Sequence, residues 1–531
     1  MKQCEIKKFT ANDRSGKWWE ELDKKKDGSK KWSTMQHNGV LFPPAYEPLP
    51  KDVRVLYEGK PVKLDATNTN NKFHITAEEA AVFFAMKLEQ DDRLSAKNPK
   101  RKRVLDDKVF MSNFWKDWKV ILGSSHPIKS IKDVDFTPIQ KYIVARSEQK
   151  KASKKKMSKE EKAEEKKEKE AVKDLYGYAV VDGVKIALGN YMVQPPGLFI
   201  GHGNQPLRGG IKKRIQPSDV TINVSKNSVP KCHWVCADDM EKFDKARKLA
   251  ENIEEVRKAY TKDLKSSKPN IRQLATAVYL LDVLAVRPGT EKDEKKESDT
   301  LGLTTLKCDN IKFEAGNYIT INFVGKSSIE FSKRFKVDSS VYSNLQGSCK
   351  GEKKTAKLFP EINSTTLNGY LKTLLPGLTA KVFRTYKAGI TLQKELDKNM
   401  PDPSMPTHEK KLLYDRANML VAVALNHKNL TESGDKIKKL KEKIKEIKEK
   451  MKKANTEKQK ETAQKSLDLN EAKLEQAEGN ISLSTSKVNY IDSRITVAWC
   501  KKAEMPIEKI YNKSQLKKFV WAMDTPMEWK F

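Results

Sequence analysis

Hydrophobic and polar residues change period several times along this chain, and each change predicts an element. Pro43 to Pro50 reads PPAYEPLP and predicts a stiff, extended segment. Between Val53 and Leu64 apolar and polar residues alternate about Glu58-Gly59, which predicts a hairpin. Ile75 to Leu88 carries apolar residues at helical spacing behind Thr76-Ala-Glu-Glu, a capping-box sequence. Ser158 to Asp174 is nearly all charge, so a solvated helix is expected rather than a core one. Tyr176 to Val193 alternates like strands, with Asp182-Gly183 as the turn. From about Asp238 amphipathic helices dominate, over Met240–Leu264 and Ile271–Val286, with a strand-like insertion over Tyr318–Phe335. Ile437, Leu440, Ile444, Ile447, Met451 and Ala454 are spaced alternately by three and four, a coiled-coil seam. After a break at Asn455-Thr456, Leu467, Asn470, Leu474 and Ala477 continue a weaker one. The pattern predicts an antiparallel helical hairpin over Thr431–Gly479, mostly solvated because it holds 14 Lys and 11 acids. Asn480 to Phe531 is apolar enough to form a small helical domain.

Composition narrows the partner. The 531 residues hold 104 Lys plus Arg against 71 Asp plus Glu, a net charge of +33. Apolar residues make up 37%, low for a globular protein yet enough for a core at this length. The excess charge belongs to surfaces and connectors, and a field that positive makes nucleic acid the expected partner. Six irregularly spaced cysteines are no disulfide framework and imply a reducing compartment. No apolar run reaches the length of a membrane helix and no apolar segment follows Met1, so neither a membrane span nor a secretory signal is expected. Lys97 to Arg103 reads KNPKRKR, which suits a solvated loop and a nuclear import signal about equally.

Several short motifs fail on inspection. Gly325-Lys326-Ser327 ends like a P-loop, but the position of that motif's first glycine is Thr320, and the stretch continues a strand pattern. Asp133-Val134-Asp135 has no third acid nearby and reads as a surface turn. Cys232, His233 and Cys236 offer three zinc ligands without a fourth. There is no HExxH and no GxSxG, so the usual hydrolase and NTPase chemistries lack support.

The informative string is SKVNYIDSRITVAWC, over Ser486–Cys500, followed by PIEKIYNK from Pro506 to Lys513. It resembles the active-site segment of eukaryotic type IB DNA topoisomerases, whose nucleophilic tyrosine lies in an SKxNY motif. Other strings agree in order along the chain: KWWE from Lys17, YEPLP from Tyr46, PPGLF from Pro195, and KRI from Lys213. LAVRPG from Leu284, Gly325-Lys326, LTAKVFRT from Leu378, and DRAN from Asp415 through Asn426-His427 complete the set. The resemblance covers residues 17 to 531.

The resemblance implies that Tyr490 is the nucleophile, that Arg287, Arg384 and His427 stabilise the transition state, and that Lys326 is the general acid. The residue types suit that chemistry independently. A tyrosine attacking a phosphodiester makes a covalent phosphotyrosine. Fixed arginine forks suit the charge that builds on the non-bridging oxygens. The ester keeps the energy of the broken strand, so no ATP or other cofactor is expected, and a divalent cation is at most stimulatory. Singly, each residue has a structural explanation: a helix cap for Arg287, a strand-edge charge for Lys326, one basic residue among many for Arg384, a core or cap histidine for His427, a core tyrosine for Tyr490. The ordered set inside matching strings outweighs those explanations. Family positions that contact DNA map onto Lys242, Pro288, Gly289, Thr290, Glu291, Lys292, Thr300, Asn368, Thr379, Ala380, Lys381 and Asn489. Lys212, Lys213 and Arg214 form a basic patch that composition alone assigns to phosphates.

Departures from the family are specific. Relatives carry Arg-Gly-Arg-Gly after PGLF; here the residues are Ile200, Gly201, His202 and Gly203. The residue after the lysine is usually Asp and here is Ser327. Losing both partners of a family Arg–Asp pair is coherent, because either alone would be an unpaired charge. His202, Ser327 and Asn489 stand at camptothecin-binding positions, so lower camptothecin sensitivity with retained catalysis is expected. Ser225 to Lys242 is shorter than the family's equivalent, which normally supplies part of one jaw.

The fold expected from the resemblance is α+β: a bilobed DNA clamp with a mixed α/β cap and a mainly helical, tyrosine recombinase-like catalytic core. It divides into a polar tail (1–16), the start of the core or jaw (17–46), a cap (47–157) and a charged connector with the rest of the jaw (158–237). The catalytic core (238–430), a coiled-coil linker (431–479) and a C-terminal domain bearing the tyrosine (480–531) follow. The expected activity is ATP-independent relaxation of duplex DNA, preferentially supercoiled, through a transient 3′-phosphotyrosine. A nuclear monomer serving replication and transcription is the expected setting. A tyrosine recombinase and a non-catalytic DNA-binding relative stay open as alternatives; formation of a site-independent covalent adduct separates all three.

Overall fold

The computed structural model describes residues 34–96, 103–181, 184–201, 203–220, 235–291, 300–429, 434–452 and 456–531. Lys17 to Trp19, the KNPKRK stretch, Asp182-Gly183, His202, Cys232-His233 and Lys292 lie outside the described residues. Two compact units divide the chain, one before and one after the start of a long helix at Val235.

The first unit is mixed. Strands β1 (Met35–His37), β2 (Val55–Tyr57) and β3 (Lys60–Val62) precede helices α1 (Ala77–Ser95) and α2 (Lys108–Leu122). Strand β4 (Val134–Asp135), helices α3 (Thr137–Lys156) and α4 (Lys159–Tyr176), and strands β5 (Tyr178–Val181), β6 (Val184–Ala187), β7 (Gly197–Leu198) and β8 (Ile211–Lys212) complete it. The strands form antiparallel sheets in the orders β1-β5-β6, β3-β2-β4 and β7-β8. The predicted hairpin is β2–β3, and its turn residues Glu58 and Gly59 both take positive φ, as a tight hairpin turn requires. Val134–Asp135, expected as a turn, pairs with Tyr57 and Leu56 instead.

Thr76 caps α1 by accepting from the N–H of Glu79 at 3.0 Å. The reciprocal half of the expected capping box is missing, because the Glu79 carboxylate is taken by Arg214 at 2.7 Å. Helix α4 buries none of its residues, as its charge requires. Phe84 and Phe114 stack at 4.3 Å, and Trp118 donates to the carbonyl of Ala77 at 3.0 Å, which locks α1 onto α2.

The second unit is mainly helical. Helix α5 (Val235–Asp263) and helix α6 (Pro269–Leu284) begin it, each offset from its predicted bounds. A three-stranded antiparallel sheet follows, of β9 (Ile311–Glu314), β10 (Tyr318–Gly325) and β11 (Ile329–Lys336), in the order β11-β10-β9. Helices α7 (Ser339–Cys349), α8 (Ser364–Leu374), α9 (Ala380–Lys398) and α10 (Thr407–Ala424) come next. Apolar faces of α5, α6, α8 and α9 join the inner face of the sheet in one core that includes Leu281, Ile319, Leu371 and Phe383.

Helices α11 (Gly434–Lys452) and α12 (Glu457–Glu478) pair antiparallel, with ion pairs Lys441–Glu478 at 2.8 Å and Lys448–Glu471 at 3.0 Å. Ile444, Ile447 and Leu467 are buried between them, at positions the seam marks. The base of the pair is pinned where Lys428 bridges Ile481 and where the N–H of Asn429 donates to Asn480 at 2.9 Å. Helices α13 (Leu483–Asn489), α14 (Ser493–Lys502) and α15 (Lys513–Lys518) close the chain. They share a second core with α9 and α10, centred on Tyr414, Ile491, Trp499 and Tyr511.

Candidate active site

The site grows from the ends of elements. Helix α6 stops when Ala285 turns left-handed (φ 50°), which frees its carbonyl and sends Val286 and Arg287 into an extended run. That run is braced by Leu303, whose N–H donates to Arg287 O at 2.9 Å, and by Thr304, whose N–H donates to Pro288 O at 2.7 Å. Gly289 (φ 85°) and Gly302 lie back to back; a Cβ on Gly302 would come within 2.4 Å of the Gly289 backbone. Close approach here therefore demands glycine on both sides.

Arg384 projects from α9 and is only 6% exposed. Its guanidinium donates to the Ala285 carbonyl, to Leu425 O at 3.2 Å and to His427 Nε2 at 3.2 Å. His427 follows α10 after Asn426, which is itself left-handed (φ 53°). Because arginine can only donate, His427 Nε2 accepts and the ring proton sits on Nδ1, a buried atom with no partner. Burial, then the charges of Arg384 and Arg287, push His427 down to about 3, so the ring is neutral at physiological pH.

Tyr490 stands at the break between α13 and α14. Ser486 O accepts from the N–H groups of both Tyr490 and Ile491, Ile491 plugs the core, and Asp492 caps α14 through the Arg494 N–H at 2.9 Å. Asn418 of α10 anchors α13, accepting from Ser486 Oγ at 2.9 Å and donating to Leu483 O at 3.1 Å. The Tyr490 ring lies 4.9 Å from the Arg384 guanidinium and 5.1 Å from the His427 ring. Burial alone would raise its pKa and is the largest single influence; charge and hydrogen bonding from Arg384 and Arg287 outweigh it, and the phenol titrates below its ordinary value. In turn, burial lowers the Arg384 pKa, and the adjacent phenol opposes that.

Arg287, Lys326, Arg384 and His427 line one cavity of about 410 Å³, whose described lining contains no carboxylate. Lys326 reaches it from the tip of the β10–β11 hairpin, beyond the last pair Gly325–Ile329, where Ser327 and Ser328 are both left-handed. Ser327, Asn426, Lys428 and Thr485 line it too, and sequence reasoning gave no role to the last three. A cavity rich in fixed cations, bordered by an acidified phenol, suits a phosphodiester. Tyr490 is not among the residues that line the cavity, but its ring packs against two that are, Arg384 and His427, so the motif residues share one neighbourhood.

The remaining expected contact residues scatter. Pro288, Gly289 and Thr290 continue the Arg287 run, and Glu291 pairs with Lys357. Thr300 precedes Leu301, whose N–H donates to Val324 O at 2.8 Å. Asn368 on α8 accepts from the Ala380 N–H at 2.9 Å, which fixes the start of α9 where Thr379, Ala380 and exposed Lys381 sit. Lys242 on α5 donates to the Asn489 carbonyl at 3.1 Å, and the Asn489 side chain donates to Thr485 O at 3.2 Å. In the first unit, Lys212 lies on β8, Lys213 pairs with Asp219 at 2.7 Å, and Arg214 is committed to Glu79. Among residues that sequence reasoning missed, Asp492, Arg494 and Asp244 form a chain of ion pairs beside Tyr490. The spacing Asp-Ser-Arg, with an N-cap acid two residues before an arginine, was the available signal.

Comparison with known families returns three matches in chain order. The DNA-binding fragment of eukaryotic DNA topoisomerase I matches residues 30–260, its catalytic core residues 231–465, and a C-terminal topoisomerase domain residues 464–531. DNA topoisomerase 1 beta of Arabidopsis thaliana is 39% identical over 95% of this chain and 60% of that protein. DNA topoisomerase 1 of Homo sapiens is 35% identical over 93% of the chain and 71% of its own length. The Drosophila melanogaster enzyme of the same name is 36% identical over 96% and 55%. The chain thus spans 60% of the Arabidopsis relative and 55% of the Drosophila one.

Proposed function

Because the chain belongs to the eukaryotic DNA topoisomerase I family, we propose that it is a type IB enzyme that nicks one strand of duplex DNA, lets supercoils relax by rotation and religates the strand. The observation that carries this reading is the Tyr490 phenol, held against Arg384 and His427 and acidified by two guanidiniums. Tyr490 Oη attacks the scissile phosphorus. A P–O bond to tyrosine forms as the bond to the 5′ oxygen breaks, and the phenolic proton passes to solvent water. Arg384 and Arg287 first favour the phenolate and then face the charge on the non-bridging oxygens. His427 is neutral and contributes an N–H rather than a charge. Lys326, at the end of the β10–β11 hairpin, protonates the departing 5′ oxygen. Religation reverses these steps with the energy kept in the phosphotyrosine, so no ATP and no obligatory metal enters the cycle.

Lys212, Lys242, Thr290, Lys292, Lys381 and their neighbours hold the duplex through its backbone, which makes affinity steeply salt-dependent and weakly sequence-specific. Residues 17–237 serve as cap and jaw of a clamp, 238–430 as the core, 431–479 as a coiled-coil linker and 480–531 as the carrier of Tyr490. The protein acts as a nuclear monomer on supercoiled DNA, with camptothecin sensitivity lowered by His202 and Ser327. The test is relaxation of supercoiled plasmid in EDTA without ATP, against Tyr490→Phe. Relaxation by the unmodified protein and none by the variant is expected; equal activity in both refutes the assignment of Tyr490.

A further inference from the structure

The nucleophile's segment is a break between two helices, and its position has to be fixed from outside. Helix α5 supplies two ties. Lys242 Nζ donates to the carbonyl of Asn489 at 3.1 Å, immediately before Tyr490. Asp244 accepts from Nη2 of Arg494 at 2.7 Å, four residues after it. Residues two apart on a helix point in different directions, so the two side chains approach the segment separately. One rigid helix thereby fixes the distance between the segment's two ends.

Arg494 is well prepared to transmit such a tie. Its guanidinium forks onto Asp492 at 2.8 to 3.1 Å and lies 5.5 Å from the Trp521 ring and 4.9 Å from the Trp529 ring. Asp492 is fully buried and also caps α14. Arg494 is 13% exposed, whereas Asp244 is 50% exposed and serves no other described partner. A half-exposed carboxylate adds little to folding. Its value lies in where it holds Arg494.

We propose that Asp244, acting through Arg494 and together with Lys242, is a positioning residue that straps the Asn489–Arg494 segment to helix α5 and sets Tyr490 against Arg384. The proposal rests on the topoisomerase reading for its kinetic consequence and on the contacts alone for its structural one. A displacement of about 1 Å at a reacting atom costs on the order of a hundredfold in rate.

Asp244→Ala leaves the Asp492–Arg494 pair and the Lys242 tie in place and removes the oxygen that accepts from Arg494. Two measurements on the full chain test it. The first is single-turnover adduct formation on a suicide oligonucleotide, with affinity measured separately. The second is titration of Tyr490 by ¹³Cζ-tyrosine NMR, assigned by difference from Tyr490→Phe. The expected result is adduct formation slower by about 10- to 100-fold at unchanged affinity and unchanged circular dichroism. The Tyr490 titration should rise towards the ordinary tyrosine value as the phenol leaves the guanidiniums, and Asp244→Glu should restore both. A variant whose Tyr490 titrates as before overturns the proposal, whatever its rate. If the unmodified protein forms no adduct but the titration still shifts in Asp244→Ala, the strap stands and the topoisomerase reading falls.

Discussion

Arg384→Lys is the sharpest test of how the site works, because it keeps the charge and removes the fork. The native guanidinium reaches the Ala285 carbonyl, Leu425 O and His427 Nε2 at once, while one face meets the Tyr490 ring. An ammonium on a flexible stem cannot span two carbonyls that end different helices and still present a donor to a phosphate. At least one donor aimed at the developing charge is lost. Losing one such donor costs about 2.7–4 kcal/mol, which corresponds to roughly 10²–10³ in rate. Retained charge places the expected loss near the lower figure. A buried carbonyl left without its partner lowers stability by about 1–3 kcal/mol as well, so the rate is to be measured well below the melting transition. The assay is quenched single-turnover cleavage of a suicide oligonucleotide, scored as covalent adduct. Affinity for that oligonucleotide should hardly change, since Arg384 is almost entirely buried. Cleavage at close to the native rate would show that the fork is structural and that charge alone suffices.

Three further outcomes follow from the same geometry. His427 titrates at about 3 when folded and at 6.5 when not, so the unfolded chain takes up a proton first as pH falls; its contribution is whole above pH 6.5 and is lost on the way down to about pH 3. Urea midpoints should therefore show about 1.6 kcal/mol lost between pH 6.5 and about pH 5, and His427→Gln should flatten that slope by up to one proton. Gly302→Ala forces a Cβ to 2.4 Å from the Gly289 backbone and 2.9 Å from Arg287 O. It should cost about 1–3 kcal/mol by thermal melting and slow adduct formation by shifting Arg287, while Gly347→Ala, which meets nothing within 4 Å, does neither. Arg214→Met strands Glu79, whose side chain is 3% exposed and whose pKa burial already raises against the pull of Arg214. It should lower stability by about 3–5 kcal/mol yet change the salt dependence of DNA affinity less than Lys212→Met does.

What the sequence disclosed and what it hid divide along the range of the interactions. The α11–α12 pairing is legible because Ile444, Ile447 and Leu467 announce it through a local period. The hairpin at Glu58-Gly59 and the cap at Thr76 are legible for the same reason: turn and cap chemistry acts over a few residues. Strands of two residues such as β4, β7 and β8 cannot express an alternation, and none was visible. Helix α6 was expected to reach Val286, but it ends at Leu284 because Ala285 turns left-handed, and no glycine there signals it.

Charge type proved the least legible property of all, because a basic residue does not declare its partner. The sequence groups Arg214 with Lys212 and Lys213 in a basic patch, and nothing in it discloses that the Arg214 guanidinium pairs with Glu79, 135 residues away. Arg494 lies inside the most informative string and still gave no hint of Asp244, 250 residues earlier. The five motif residues were found because they sit within recognisable strings; their arrangement depends on positions that no string marks. Gly302 lets Arg287 approach, Asn418 seats the helix before Tyr490, and Asp244 ties down the segment after it. On the proposed reading, a chain could retain Arg287, Lys326, Arg384, His427 and Tyr490 and yet lose the site through any one of these three. In this chain the motif residues mark where the proposed chemistry lies, and the long-range contacts set where the phenol stands.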